Sequence, residues 1–351
     1  MNRPRGLLQR FFNRLPITDR TPALSLEEGD TPLLPAPRLA DWVGIDRLWL
    51  KMEGANPTGS FKDRGMVLAV AKAAEAGAHT VLCASTGNTA ASAAAYAARA
   101  GLHAVVLLPG GKVAAGKVAQ ALRYGARIVI VDANFDLALE VARAAADAAP
   151  LTLVNSVNPH RLQGQATAAF EIVEALGDAP DVLALPVGNG GNITAYWAGF
   201  VRDHADGNAT RRPRLIGAQA EGAAPLVLGR PVETPDTVAT AIRIGRPATW
   251  EPALAAARDS NGRLLAVSDA EILDAYRTIP ALEGVFCEPA SAASLAGLRR
   301  AVLHGIVARH ESSVAVLTGH GLKDPETAVA GPMDVITIEP SLEALLEALS
   351  P

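Results

Sequence analysis

Short apolar runs of β-type residues alternate with longer alanine-rich runs along most of this 351-residue chain. That alternation narrows the possible folds more than any other feature. Candidate strands are Leu48–Met52, Thr80–Ala84, His103–Leu108, Arg127–Val131, Leu151–Val154, Val182–Pro186, Leu215–Ala218 and Val314–Thr318. Between them lie helical patterns at Lys62–Ala76, Thr89–Ala100, Phe135–Ala148, Arg161–Leu176 and Ile193–His204. Strand–helix–strand repeats need crossover connections, so they build parallel sheets with helices on both faces. Runs such as Val105–Leu108, apolar at every position, fit strands covered on both sides. Composition agrees: 69 residues are Ala and only 4% are aromatic, a mix that favours helices layered on sheets over an all-β sandwich. Length alone suggests two domains or one large one. The Pro/Gly-rich stretch Gly222–Pro247 reads as an irregular excursion.

Several function classes drop out early. A net charge of −4 with no basic stripe argues against a nucleic-acid partner. Cys83 and Cys287 stand far apart, in no spacing that suggests a disulfide framework or a zinc site, which fits a reducing compartment. Met1–Arg20 carries Arg3, Arg5, Arg10 and Arg14, and its one apolar cluster breaks at Gln9 and Arg10, too short for a signal-peptide core. No stretch approaches the ~18 uncharged apolar residues of a membrane span. The expectation is a soluble cytoplasmic protein with no membrane partner.

The loops after the strands carry the chemistry. Glu53–Gly65 contains Asn56-Pro57 and Gly59, which force a turn, and Ser60, which is placed to cap the following helix. Lys62 then falls in the first helical turn, where the partial positive charge lowers an amine's pKa. A neutral amine is what condenses with an aldehyde. Only six lysines exist, Lys51, Lys62, Lys72, Lys112, Lys117 and Lys323, and Lys62 alone combines a cap, a glycine turn and a helix start. Ser85-Thr86-Gly87-Asn88-Thr89 opens another helix, with hydroxyls and backbone N–H groups suited to a carboxylate. Gly188-Asn189-Gly190-Gly191-Asn192 is a third strand–turn–helix junction, of the kind that closes N–H groups around a phosphate. It is not a dinucleotide fingerprint, because Ile193 stands where that pattern needs Gly.

Gly111–Val118 nearly matches a P-loop, but Val118 cannot supply the hydroxyl that ligates magnesium. It motivates a nucleotide-binding module as a rival of a different class. Asn155–Arg161 is a polar turn with one guanidinium, suited to a second anion. Thr318 ends the last clear strand, where open α/β sheets place ligands. His320, between two glycines, is as well explained by plain exposure.

Together these segments resemble the fold-type II pyridoxal-phosphate enzymes, and within them the short-form threonine synthases. The resemblance implies a tryptophan-synthase-β-like fold of two α/β domains, each with a mostly parallel sheet. A smaller domain at 51–154 would sit beside a larger one from 1–50 and 155–351, with pyridoxal 5'-phosphate in the cleft between. By the same resemblance Lys62 carries the Schiff base and Asn88 hydrogen-bonds the cofactor's ring hydroxyl. Gly188, Asn189, Gly190, Gly191 and Asn192 cradle its phosphate, and Thr318 faces the pyridine nitrogen. Ser85, Thr86 and Thr89 hold the substrate carboxylate, while Asn155, Ser156, Arg161 and Asn189 hold the substrate's phosphate. The implied reaction turns O-phospho-L-homoserine and water into L-threonine and phosphate by γ-elimination and β-addition. Closure of the domains on substrate and a homodimer are further implications. The nearest rival is a serine/threonine dehydratase of the same fold, which expects a histidine where Thr89 stands and does not require a second phosphate site.

Overall fold

A computed structural model describes residues 6–85, 87–110, 115–132, 135–149, 151–156, 158–330 and 335–349. Its strands are β1 (Leu33–Pro35), β2 (Leu48–Met52), β3 (Thr80–Ala84), β4 (His103–Pro109), β5 (Arg127–Val131), β6 (Leu151–Leu153), β7 (Val182–Pro186), β8 (Arg214–Ala220), β9 (Arg263–Val267) and β10 (Ser313–Leu317). They form two sheets, one in the order β1-β2-β10-β7-β8-β9 and one in the order β5-β4-β3-β6. Every pairing is parallel except β1 with β2. The chain thus has the α/β architecture that its alternating pattern requires.

Strands β7 and β10 are buried at every position, as a sheet covered on both faces demands. One face of the larger sheet packs Ala292, Leu295 and Leu298 of the helix Pro289–Leu303 and Ile272 and Ile279 of the helix Asp269–Glu283. The other face meets Ile172, Tyr196, Phe200 and Ala253 from the helices Pro159–Leu176, Gly191–Ala205 and Trp250–Asp259. The smaller sheet is backed by Met66 and Val70 of the helix Lys62–Glu75 and by Ala90, Ala93, Ala94 and Ala97 of the helix Asn88–Ala100. Alanine allows this closeness, since a methyl group fills the gap that a longer side chain would force open.

Two helices meet still more tightly. A Cβ on Gly164 would lie 2.1 Å from the Arg64 carbonyl oxygen, and one on Gly65 would lie 2.6 Å from that of Arg161. The start of the helix Lys62–Glu75 is therefore pressed backbone to backbone against the start of the helix Pro159–Leu176.

The structure corrects the expected partition in one respect. Leu48–Met52 lies in the larger sheet, paired to β10 from Ser313↔Leu48 to Leu317↔Met52, so Lys51 does not open the smaller sheet. Strands β1 and β9 escaped the sequence pattern: β1 has three residues ending in proline, and β9 is only half-buried. The N-terminal segment packs on the smaller sheet's core through Leu7, Leu8, Phe11 and Leu15. It also reaches the larger sheet's helices, where Arg14 pairs with Asp203 at 2.7 Å. Among the described residues no helix is long and apolar enough to cross a membrane.

Candidate active site

A cleft of about 760 Å³ opens where the carboxyl ends of both sheets face each other, within the range of small-molecule sites. Its wall contains Lys62 after β2, Ser85, Asn88 and Thr89 after β3, Asn155, Ser156 and Arg161 after β6, Gly188–Asn192 after β7, and Thr318 after β10. Segments far apart in sequence converge because each leaves a parallel strand at the same end. Thr86 and the Gly111–Ala114 part of the P-loop near match lie outside the described residues.

Lys62 begins its helix, and the turn before it is stitched to the end of β10. The Phe61 amide donates to the Thr318 carbonyl at 3.0 Å, and the His320 amide donates to the Gly59 carbonyl at 2.9 Å. Gly59 adopts φ +86°, the left-handed geometry that favours glycine. Ser60 stands one place ahead of the cap position, which is Phe61, and its hydroxyl accepts from the Lys62 amide at 3.4 Å. Asp63 pins the same turn by accepting from the Thr58 amide at 2.7 Å, the Thr58 hydroxyl at 2.6 Å and Ser92 at 2.6 Å. The Lys62 ammonium lies 4.0 Å from the centre of the Phe61 ring. Burial pushes its pKa down to about 7, Arg161 pushes the same way, and Glu288 and Cys83 oppose them.

Arg161 is buried at 1% exposure. Among the described residues its side chain makes one hydrogen bond, from Nη1 to the Val154 carbonyl at 3.3 Å, and Nε has no partner. It pairs with no carboxylate among them. Burial lowers its pKa to about 10, with Cys83 opposing. A buried cation without a counter-ion, opening on a cleft, is a receptor for an anion.

The glycine loop after β7 is shaped by close approach. Gly190 has φ +81°, and a Cβ there would meet the Thr249 carbonyl oxygen at 2.7 Å and Ala253 at 2.8 Å. The helix Gly191–Ala205 starts immediately afterwards with no side-chain cap, so its first N–H groups are free for a ligand. Asn192 Nδ2 is buried and has no partner among the described residues. Asn189 anchors the loop, its side-chain oxygen accepting from the Ala248 amide at 3.3 Å and its carbonyl from the Thr249 amide at 3.0 Å.

Two expected ligand residues have further duties. Asn155 uses both ends of its amide on Ala84, donating to its carbonyl and accepting from its amide, each at 2.8 Å. One Nδ2 hydrogen is left for the cleft. The Thr318 hydroxyl lies 3.0 Å from that of Ser291. His320 is a local cap, its Nδ1 accepting from the Leu322 amide at 3.2 Å.

The sequence did not reveal Glu288 or Lys323, both in the wall. Lys323 donates to the Thr58 carbonyl at 2.9 Å and to Gln120 at 2.5 Å, tying the turn after β10 to the turn before Lys62 and to the helix Ala115–Arg123. The excursion Gly222–Pro247 also reaches the cleft, through Val232, Glu233, Pro235 and Thr240–Arg246. Nothing local in those stretches marks them, because their role comes from where the chain returns.

Comparison with known proteins follows the same lines. A family model described as pyridoxal-phosphate dependent enzyme matches residues 24–319. A threonine synthase of Synechocystis is 55% identical, covering 98% of this chain and 91% of the relative. A threonine synthase of Mycobacterium leprae is 56% identical, covering 98% and 96%. Among solved structures, a threonine deaminase from T.th. superposes with a TM-score of 0.67 at 29% identity, covering 83% of this chain and 92% of that one. Maize serine racemase reaches a TM-score of 0.74 at 24% identity, over 85% and 90%, a likeness of fold. The relatives match over nearly the whole chain rather than through one motif, and the chain belongs to the threonine synthase family of pyridoxal-phosphate dependent enzymes.

Proposed function

We propose that the chain is a pyridoxal-phosphate dependent lyase that converts O-phospho-L-homoserine and water into L-threonine and phosphate. The observation that carries this reading is Arg161, a buried cation without a counter-ion among the described residues, in the same cleft as Lys62. A substrate with a phosphate as well as an amino-acid end uses both features, whereas dehydration of threonine uses only one.

The residues present fit the cofactor. The uncapped helix start at Gly191, the left-handed Gly190 and Asn192 Nδ2, unpartnered among the described residues, form an N–H-rich cradle for its phosphate. Lys62 offers an amine that is substantially neutral near pH 7. Asn88 is assigned to the ring hydroxyl. Thr318, a neutral hydroxyl beside Ser291, is assigned to the ring nitrogen, where no carboxylate is needed for elimination and replacement. The bound cofactor supplies an electron sink for carbanion character beside the substrate's amino group.

The chain's own residues do the rest. Ser85, Thr86 and Thr89 hold the substrate carboxylate at the start of the Asn88 helix. Ser156 and Arg161, with the remaining Asn155 hydrogen and Asn189, hold the phosphate. Lys62 Nζ lies beside the reacting carbons and moves the α-proton and then a β-proton. Phosphate leaves the γ-carbon toward Arg161 with the C–O electron pair. The two protons that Lys62 removed are returned, one to the γ-carbon, which becomes the methyl group, and one to the α-carbon. Water adds its hydroxyl at the β-carbon, and its proton goes to the released phosphate. Domain closure on substrate, with the smaller domain built around β3–β6, a homodimer and a cytoplasmic setting complete the proposal.

Incubation with O-phospho-L-homoserine is expected to yield phosphate and threonine in equal amounts. Ammonia and 2-oxobutyrate from threonine as the dominant products would instead establish the dehydratase. Arg161→Met is expected to raise KM for the phosphorylated substrate at least tenfold, a loss of about 1.4 kcal/mol or more. It should leave any slow turnover of threonine within a few-fold, which paired steady-state assays measure.

A further inference from the structure

We propose that Glu288 is a positioning residue for the reaction: its buried carboxyl group captures the Asn88 amide nitrogen and so fixes which end of that amide faces the cofactor. The inference rests on the assignment of Asn88 to the cofactor ring made above.

Glu288 is 4% exposed and stands in the cleft wall. It does none of the ordinary work of a buried carboxylate. It occupies the cap position of the helix Pro289–Leu303, yet its side chain makes no cap hydrogen bond. It forms no ion pair among the described residues. Its backbone is held separately, the Glu288 amide donating to the Gly319 carbonyl at 3.1 Å. What the carboxyl does accept is Asn88 Nδ2, at 3.2 Å to each oxygen.

The surroundings are built to keep it there. A Cβ on Gly319 would fall 2.4 Å from Glu288 Oε1, so glycine next to Thr318 leaves room for the carboxyl to lie over that turn. In its ionised form the carboxyl accepts only, and so selects the NH₂ end of the amide. Asn88 is left with its oxygen and one N–H for the cleft. Without that acceptor, the two ends of the amide can exchange by rotation about χ2, and the donor facing the ring is no longer defined. Burial pushes the Glu288 pKa up to about 7, while Asn88, Lys323 and Lys62 lower it and Asp324 raises it. The charge on this group therefore also bears on Lys62, across the same cleft.

The test uses the cofactor-loaded full-length protein with Glu288→Leu and Glu288→Gln, reading the cofactor's dissociation constant and its visible absorbance band. Glutamine keeps an oxygen that accepts from Asn88 but adds an NH₂ that can donate to its oxygen, so it holds the amide with weaker selection, and leucine holds it not at all. The expected result is at least tenfold weaker cofactor binding and a shifted band for Glu288→Leu, with Glu288→Gln falling between it and wild type. Adding Glu288→Leu to Asn88→Ala should then cause no further loss, because both changes remove one interaction. Unchanged affinity in Glu288→Leu, or losses that add in full, would overturn the assignment. Should Glu288→Leu fail to fold, Asn88→Asp carries the test. Two facing carboxyls must share a proton, so relative to wild type that variant should lose cofactor affinity as pH rises from 5.5 to 8. A pH dependence like wild type's overturns the proposal. Absence of threonine formation by the wild type would refute the proposed reaction, and the cofactor-binding readouts would still judge Glu288.

Discussion

Lys62→Ala is expected to remove the visible absorbance band of the cofactor-loaded protein and to lower threonine formation by at least ~10³-fold, the scale on which a catalytic base or nucleophile is lost. The reason precedes the chemistry. An ordinary lysine, with a pKa near ~10.4, is neutral in roughly one molecule in 2,500 at pH 7. Burial and then Arg161 bring the Lys62 pKa down to about 7, so about half of that amine is neutral at the same pH. Two consequences can be measured without turnover. In the full-length protein freed of cofactor, Lys62 should outpace the other five lysines in reaction with an amine reagent at pH 7, read by peptide mass mapping. Its labelling rate should rise through pH 7 and level off above pH 8, while lysines of ordinary pKa keep climbing toward pH 10. A Lys62 rate that climbs alongside theirs would mean that the cleft does not depress the amine. The visible band surviving in Lys62→Ala would mean that another lysine holds the cofactor.

The loops were legible because their signals are local. Asn56-Pro57, Gly59 and the Gly188–Asn192 run each impose a turn on the few residues around them, and the strands preceding them carry their own apolar pattern. Four strands, β2, β3, β5 and β7, have the same ends in the structure as in the sequence pattern. Glu288 was opaque because its partner Asn88 is 200 residues away and no periodicity links them. The helix Asp269–Glu283 carries a readable signal in its capping box, Ser268 with Glu271, but Pro280 interrupts its pattern. Lys51 looked like one position on a strand; its amine in fact donates to Glu171 at 2.7 Å and to the Thr31 carbonyl at 2.8 Å. Arg64 sits inside the most conspicuous motif and still gave no sign of its role, since a charged residue beside a reactive lysine reads equally well as a solvated one. Its partners Glu53 and Glu171 come from β2's exit and from the helix Pro159–Leu176, and only the tertiary fold brings them together.

That cluster carries a large expected effect on stability. Arg64 is 1% exposed, and Nε and Nη2 meet Glu53 at 2.6 and 2.8 Å. Nη1 and Nη2 meet Glu171 at 2.8 and 2.6 Å, and Thr31 and Thr167 accept at 2.9 and 3.2 Å. Arg64→Leu leaves two buried carboxylates with, among the described residues, only Lys51 at 2.7 Å and Arg10 at 3.9 Å as cations, both on Glu171, and is expected to destabilise the fold by about 3–5 kcal/mol. Arg64→Lys should recover little of this, because one ammonium cannot span both carboxylates in the fork geometry of a guanidinium. The pH dependence distinguishes lost charge pairing from lost packing. Burial alone would raise the Glu171 pKa, but Arg64 and then Lys51 outweigh it and hold the carboxyl well below its usual range. A carboxyl depressed in the folded state stabilises above its unfolded pKa of ~4.3 and loses that contribution as pH falls below it. In Arg64→Leu much of the depression is gone and burial favours the protonated form, so the gap to wild type should be widest near pH 8 and narrower at pH 5. Thermal melts at those two values measure it, and a gap that is constant or wider at pH 5 would assign the loss to packing. Arg64 lies outside the cleft wall, two residues beyond Lys62 on the same helix. Any fall in turnover by the folded fraction of Arg64→Leu therefore reports displacement of the helix that aims Lys62, and not the loss of a contact with substrate.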